Sequence, residues 1–227
     1  MARAAAHRID RRAQIARALY ACICGQGYAR TSLTDIAGEA KMSVSHVGYY
    51  FENKATILEY YAAGLCEQIV EGLPDLDEPD PERLVEAIAN FCFGLGQQNR
   101  ALLGVIQEIT GLAVHDPRIK RIKSNHSKAW RDYLEAYFEQ TTLRQGLSVR
   151  DAARSVHAML VGLDTNLLFD RSMSRESAHD LFLRTLRMLS GLDGDGIGKS
   201  RKSGSTKKQG RNRNAKKRVA QRSRKPK

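Results

Sequence analysis

The sequence predicts an all-α protein of about nine helices that ends in a basic tail. Residue patterns typical of strands are nearly absent, whereas apolar residues recur at steps of three and four along most of the chain. Ser, Asp or Asn stands just before several of these apolar stripes, where its side chain can cap a helix. Beyond Gly191 almost nothing is available for burial, which predicts that residues 193–227 are disordered.

The first three helices are expected within residues 1–54. Two glycines, Gly25 and Gly27, are expected to end helix 1. Its apolar stripe consists of Ile9, Ala13, Ala16, Tyr20 and Ile23. Thr31 or Ser32 can cap helix 2, and Asp35 follows Ser32 at the spacing of a capping box.

Six further helices are expected in residues 55–192. The stretch 72–82 contains three prolines and five acidic residues, so it separates helix 4 from helix 5. Asp116 and Pro117 have the spacing of an N-cap followed by a first-turn proline. The other predicted caps are Ser43, Asn53, Ser148 and Ser174. We therefore divide the chain into residues 1–54, residues 55–192 and a tail, residues 193–227.

The positive charge of the chain is concentrated in its tail. The net charge is +12, but residues 199–227 contain fourteen Lys or Arg and no acid. The remaining 23 basic and 25 acidic residues leave residues 1–198 near neutrality. A basic arm of this kind favours non-specific binding to DNA. A solvated extension without a role, or an arm directed to RNA or a membrane, remains open.

Helix 3 has side chains suited to reading DNA. Val44 can contact a thymine methyl group, while Ser45 and His46 can hydrogen-bond base edges or phosphates. Val47 and Phe51 are expected to face the core with Met42. A short helix with this pattern fits a recognition helix in the major groove.

Residues 8–70 resemble the DNA-binding domain of TetR/AcrR-family transcriptional regulators. The matching residues are Gly27, Tyr28, Thr31, Ser32, Leu33, Asp35, Ile36, Ala37, Ala40, Ser43, Tyr49, Tyr50, Phe51 and Lys54. The run from His46 to Phe51 is nearest to BetI-like members. Two residues depart from the family pattern. Lys41 replaces the usual turn glycine, so either it adopts a left-handed conformation or the turn differs, and Gly48 replaces a frequent tyrosine.

The resemblance and the residue chemistry together imply three sets of functional residues. The predicted DNA contacts are Thr31, Ser32, Thr34, Lys41, Ser43, Val44, Ser45, His46, Tyr49, Tyr50 and Lys54. The predicted effector pocket consists of Phe91, Gln107, His126, Trp130, Tyr133 and Tyr137, although an aromatic stripe is more often core. The predicted dimer interface consists of Val156, Met159, Leu160, Leu163, Leu167, Phe182, Leu186 and Leu189.

These sets predict a homodimeric regulator, most simply a repressor that an unknown small molecule releases from a palindromic double-stranded DNA operator. The alternatives are a constitutive or architectural DNA-binding dimer without an effector, and a helical adaptor that does not bind DNA. No catalytic constellation stands out, and we expect neither enzyme activity nor a cofactor. The four cysteines lack zinc spacing, so we expect no metal. Reduced thiols and the lack of a signal peptide or membrane-spanning run favour the cytoplasm.

Overall fold

The computed structural model describes residues 10–94, 100–143 and 146–192. Within these ranges the chain forms nine α-helices and no strand. The helices are α1 Arg11–Gln26, α2 Leu33–Glu39, α3 Val44–Tyr50, α4 Lys54–Gly72, α5 Pro81–Phe93, α6 Arg100–Leu112, α7 Pro117–Phe138, α8 Val149–Phe169 and α9 Arg175–Leu189. The all-α prediction is therefore confirmed for the described part of the chain. The predicted disordered tail lies outside the described residues.

The helices form two compact units, and the chain passes between them more than once. Unit 1 contains the described residues up to Cys66 together with residues 100–123. It therefore includes α1–α3, the first part of α4, all of α6 and the start of α7. Its largest buried side chains include Ile15, Leu19, Ile36, Phe51, Ile57, Leu58 and Ile119.

Unit 2 contains residues 67–94 and the described residues from Ser124 onward. Helix α9 packs against both α5 and α8. The rings of Phe93 and Phe182 meet edge to face with their centroids 5.3 Å apart. At the rim of this contact, the Arg187 guanidinium pairs with the Glu82 carboxylate at 3.0 Å. These contacts make α5, α8 and α9 the main helical layer of unit 2.

The structure confirms these helix caps at the positions that the sequence predicted. Ser32, Ser43, Ser148 and Ser174 each accept a hydrogen bond from a backbone N–H in the first turn of the following helix. Asp116 accepts a hydrogen bond from the backbone N–H of Arg118, at 2.8 Å, just before α7. Short-range side-chain chemistry therefore fixes where these helices begin.

Contacts between the helices group the residues differently from the predicted division at residue 54, which stays a prediction. The predicted boundary at residue 54 separates the first three helices from the rest, but α6 packs against α1 inside unit 1. The predicted stripe of α1 was partly wrong, because Ile15, Ala18 and Leu19 are buried while Tyr20 is only half-buried. An apolar pattern indicates that a helix has a buried face. When apolar residues also stand beside that pattern, the sequence does not determine which of them face the core.

Candidate nucleic-acid interface

The turn between α2 and α3 closes in a left-handed conformation at Lys41. The φ angle of Lys41 is 56°, so the left-handed alternative is confirmed for this position. The Lys41 N–H donates to the Gly38 carbonyl at 3.1 Å, and the Met42 N–H donates to the Ala37 carbonyl at 2.9 Å. This pair of bonds is a Schellman motif, which satisfies the last carbonyls of α2 and redirects the chain into α3.

Helix α1 holds this turn from behind. The Gln14 side-chain amide donates from Nε2 to the carbonyl of Ala40 at 2.8 Å. The Arg12 guanidinium lies over the rings of Phe51 and Tyr60, at 4.6 and 5.0 Å from their centroids. The sequence pattern did not identify these two α1 side chains, because each acts on a residue at least 26 positions away.

The start of α2 is fixed by a complete capping box. The Asp35 carboxylate accepts from the Ser32 N–H at 2.8 Å and from its hydroxyl at 2.7 Å. The Ser32 hydroxyl oxygen in turn accepts from the Asp35 N–H at 3.1 Å. These hydrogen bonds, the one from the Ser32 side chain first, hold the pKa of Asp35 below its usual range. Asp35 therefore remains ionised next to the proposed DNA-facing surface.

Helix α3 buries one apolar side chain and presents most of the others to solvent. Val47 is buried in the core of unit 1, whereas Val44, Ser45 and His46 are exposed and Tyr49 is 80% exposed. A tyrosine this exposed on an ordered helix is available to a partner. The exposed side chains lie on the side of the helix opposite the buried Val47.

Local contacts order these exposed side chains. The Ser43 hydroxyl accepts from the His46 N–H at 3.1 Å and lies 3.1 Å from the Ser45 hydroxyl. The half-buried Tyr50 ring lies between two others, 5.5 Å from His46 and 5.1 Å from Tyr49. The surface therefore offers hydroxyls, an imidazole and a phenol in fixed relative positions, all of which can hydrogen-bond phosphates or base edges.

Most of the predicted DNA contacts share this exposed surface, but two do not. Those exposed are Ser32, Thr34, Lys41, Ser43, Val44, Ser45, His46 and Tyr49, and Tyr50 is half-buried. Thr31 is a correction, because its side chain is 2% exposed and its hydroxyl donates to the Gly27 carbonyl at 2.9 Å. Its place in the predicted set followed from the sequence motif, which does not separate buried from exposed hydroxyls.

Lys54, a predicted phosphate contact, has an ammonium group that already makes two hydrogen bonds within unit 1, and its contact with DNA stays a prediction. Its Nζ donates to the Tyr28 carbonyl at 2.8 Å and to the Thr31 carbonyl at 2.6 Å. It also lies 4.2 Å from the centroid of the Tyr28 ring. Lys54 therefore closes the loop between α1 and α2 onto the first turn of α4.

The predicted effector-pocket residues are divided between the two units. Gln107 lies on α6 in unit 1, while the other five lie in unit 2. The Trp130 ring centroid is 6.1 Å from that of Phe91 and 6.3 Å from that of Tyr133. We call these three rings the aromatic cluster. His126 precedes Trp130 by one turn of α7 and is half-buried.

The two buried tyrosines of this set already have hydrogen-bond partners. The Tyr133 hydroxyl donates to the Pro74 carbonyl at 3.1 Å, and the Tyr137 hydroxyl lies 2.6 Å from the Ser190 hydroxyl. Burial raises the pKa of Tyr133 well above its usual range and the pKa of Tyr137 to about 12. Both phenols therefore stay neutral, and Tyr137 acts as a structural link between α7 and the end of α9.

The predicted dimer residues are mostly inside the single chain. Val156, Leu160, Leu163, Leu167, Phe182 and Leu186 are buried, and Met159 and Leu189 are half-buried. The regular apolar stripes of α8 and α9 thus pack in the core of unit 2, and their place in a dimer interface stays a prediction. The exposed apolar side chains of these helices are instead Val161, Phe169, Leu181 and Met188.

Among the described residues, His, Cys, Asp and Glu side chains form no group of three or more that would suit a metal ion. None of the helices described is long and apolar enough to cross a membrane.

Two helices joined by a tight turn, with an exposed second helix and a supporting first helix, define a helix-turn-helix DNA-binding protein. Comparisons with known proteins agree. The model of bacterial regulatory proteins of the tetR family matches residues 12–61, and the C-terminal model of BetI-type transcriptional repressors matches residues 79–191. The chain belongs to the TetR family of transcriptional regulators, and its body is of the BetI type.

Individual relatives are distant. The chain is 26% identical over 157 residues to the HTH-type transcriptional regulator BetI of Yersinia pestis, covering 67% of this chain and 78% of the relative. A TetR regulator from Haloarcula marismortui is similar in structure with a TM-score of 0.71 at 20% identity, covering 79% of this chain and 98% of that one. A regulator from Saccharomonospora viridis in complex with choline has a TM-score of 0.67 at 18% identity, covering 78% and 95%. The confirmed family rests on the sequence models, and the solved structures agree in fold.

Proposed function

We propose that the protein is a homodimeric repressor that binds a palindromic operator and is released from it by a small molecule. The observation that carries this proposal is the exposed face of α3. Its side chains are ordered by local contacts, and its buried side chain, Val47, anchors the helix in unit 1. Such a helix fits the major groove, where base edges and the thymine methyl group differ for each base pair.

Recognition by this surface depends more on hydrogen bonds than on charge. Lys41 is the exposed basic residue of residues 31–54, whereas Asp35, Glu39 and Glu52 are exposed acids. We therefore assign sequence preference to Val44, Ser45 and His46 and phosphate contacts to Ser43, Tyr49 and the neighbouring hydroxyls. Bulk affinity then has to come from basic residues outside this surface, because phosphate neutralisation supplies most non-specific binding.

The apolar strip left exposed on α8 and α9 supports a dimer. Val161 is 48% exposed, Leu181 40% and Met188 39%. Leu181 and Met188 are seven residues apart and so lie on one face of α9. Exposed apolar residues that line one face of neighbouring helices are typical of a protein interface. Two copies related by a twofold axis would read two inverted half-sites about one helical turn of DNA apart.

The aromatic cluster supports an effector that carries positive charge. The rings of Phe91, Trp130 and Tyr133 lie close together in unit 2, and aromatic rings attract cations, including quaternary ammonium groups. The Saccharomonospora viridis regulator was solved with choline. Choline is therefore the first compound to test, by its effect on the melting temperature and on operator affinity.

One observation favours the alternative of a constitutive DNA-binding dimer. The hydroxyls of Tyr133 and Tyr137 are already bonded inside unit 2, so these residues can serve as core rather than as ligand contacts. The two proposals differ in a single result, because only the sensor loses operator affinity when a compound that raises its melting temperature is added.

Selection from a random double-stranded DNA library tests the proposed function. The full-length protein should select an inverted repeat, and His46→Ala should lose most of that preference while keeping its affinity for unrelated DNA. Glu86→Ala, an exposed residue on α5, is the control and should select the same site as the wild type. If the wild type selects no common sequence, the proposed function is wrong.

The tail supplies the missing positive charge in this proposal. Residues 199–227 carry fourteen basic residues, outside the described part of the chain. Deleting them should weaken binding to all DNA sequences and flatten its salt dependence, since each phosphate neutralised adds about 0.9 to the slope. Operator preference should stay the same. An unchanged salt slope would remove the tail from the proposal.

A further inference from the structure

We propose that Glu108 of α6 is a positioning residue for operator binding, because its carboxylate holds the loop that leads into α2. This inference rests on the proposed function. The loop, residues 27–31, connects the C-terminal end of α1 with the cap of α2. Its position therefore sets where α2 begins, and α2 carries the turn and α3.

The contact is a direct hydrogen bond across 80 residues of sequence. The Tyr28 N–H donates to Glu108 Oε2 at 2.6 Å in a partly buried setting. A hydrogen bond to an ionised carboxylate is about twice as strong as one between neutral groups. Because α6 also packs against α1 within unit 1, the carboxylate is held by a helix rather than by a mobile segment.

The backbone of the loop is shaped to receive this carboxylate. Gly27 has φ 80° and ψ 157°, a region that is essentially reserved for glycine. A Cβ added at Gly27 would lie 3.3 Å from Glu108 Oε1, closer than an ordinary van der Waals contact. Glycine therefore serves two purposes here: it ends α1 and leaves room for the Glu108 side chain.

The opposite side of the same loop is held by Lys54. Its ammonium group takes the carbonyls of Tyr28 and Thr31, while Glu108 takes the N–H of Tyr28. Tyr28 is thus bonded through its N–H to α6 and through its carbonyl to α4. The cap residue Ser32 lies four residues after Tyr28, so we expect a shift of α6 to reach the start of α2 through this short loop.

The function assigned to Glu108 differs from a purely stabilising one in a measurable way. If Glu108 only stabilises the fold, its removal lowers the free energy of unfolding but leaves DNA affinity unchanged at temperatures where the protein is folded. If it positions the loop, its removal weakens operator binding selectively. Binding to unrelated DNA tolerates a displaced recognition helix, because phosphate contacts do not depend on base register.

The experiment compares Glu108→Ala, Glu108→Gln and the control Thr110→Ala in the full-length protein, at a temperature where circular dichroism confirms that each is folded. Thr110 lies on the same helix, and its hydroxyl donates within α6 to the Ile106 carbonyl. The DNA probes are the operator selected by the wild type and a scrambled duplex. We expect Glu108→Ala to bind the operator about tenfold more weakly, because the loop is no longer held in the free protein and must be ordered on binding, at a cost comparable to one charge-assisted hydrogen bond. Affinity for the scrambled duplex should stay within about twofold of the wild type because phosphate contacts are retained.

Glu108→Gln is the conservative variant. Its side-chain oxygen can still accept from Tyr28, so it should recover most of the operator affinity. Amide hydrogen exchange in the free protein gives a second readout, in which Glu108→Ala should speed exchange in residues 28–36 but not in α8. If Glu108→Ala does not fold, Glu108→Met, which keeps the bulk of the side chain but cannot accept the Tyr28 N–H, takes its place, and unchanged exchange and operator affinity in that variant would overturn the inference.

Three further results would bear on the positioning role of Glu108. Operator binding by Glu108→Ala within twofold of the wild type would refute the positioning role, as would an equal loss on both duplexes or an equal loss in Thr110→Ala. If the wild type selects no operator, the proposed function fails. The exchange measurement then still tests whether Glu108 holds the loop.

Discussion

The hydrogen bonds of Lys54 predict a specific loss of stability when its charge is removed. In Lys54→Met the Thr31 carbonyl loses its ammonium donor, whereas the Tyr28 carbonyl keeps one hydrogen bond from the Thr31 N–H at 3.2 Å. Hydrogen bonds to charged groups contribute about 1.5–3 kcal/mol each, and the contact with the Tyr28 ring about 0.5–1 kcal/mol. Because Lys54 is half-exposed and one carbonyl retains a donor, we expect a net loss of about 3 kcal/mol in the free energy of unfolding.

Urea unfolding followed by far-UV circular dichroism measures this loss, and amide exchange in α1–α3 assigns it to unit 1. The fluorescence of Trp130, the single tryptophan of the chain, reports separately on unit 2. Lys120→Met is the matched control, since Lys120 is an exposed lysine on α7 in unit 1. The control should unfold like the wild type.

DNA binding separates this interpretation from the one drawn from the sequence motif. If Lys54 contacted a phosphate, Lys54→Met would keep its stability and would lower the salt slope of DNA binding by about 0.9. A free energy of unfolding within about 0.5 kcal/mol of the wild type, the usual range for surface substitutions, would refute the assigned loop contact.

Three further predictions follow from local geometry. Lys41→Gly should raise the free energy of unfolding by about 1 kcal/mol, because glycine adopts the left-handed conformation at φ 56° without strain, and a fall in the urea midpoint would contradict this. Ser32→Ala should cost about 1 kcal/mol at neutral pH through loss of the cap. Since Ser32 lowers the pKa of Asp35, the stability linked to that carboxylate is complete above about pH 4 and is lost as the pH falls through the lowered pKa, so urea titrations at several pH values should show the two proteins converging in acid. Val161→Glu should convert the proposed dimer to a monomer in sedimentation velocity, whereas Val114→Glu, at an exposed site in unit 1, should leave that dimer intact.

Local chemistry made part of this structure predictable. A capping serine acts on an N–H three residues away, so Ser32, Ser43, Ser148 and Ser174 could be assigned from spacing alone. A left-handed Lys41 was one of the two possibilities expected from its place in the motif. In each case the predicted residue makes its determining contact with a residue only a few positions away in the sequence.

Contacts between residues far apart in the sequence could not be predicted from local spacing. The partners of Glu108 and Lys54 are backbone groups, which every residue carries, so no side-chain pattern marks them. Likewise, α8 and α9 have apolar residues on more than one face, and periodicity does not tell which face the monomer buries. Val156 and Phe182 were assigned to the dimer for this reason, although the core of unit 2 contains them.

The discontinuous build of unit 1 limits how this regulator can be recombined with others. A chimaera that transplants residues 1–54 onto a foreign body would carry Tyr28 and Gly27 but leave Glu108 behind. It would also lose Val105 and Ile109, which are buried in the same core as α1. A working exchange must therefore include α6 or choose a recipient whose corresponding helix has an acidic residue in register with the loop. The DNA-binding helices therefore depend on residues of α6, which lie outside residues 1–54 in the sequence.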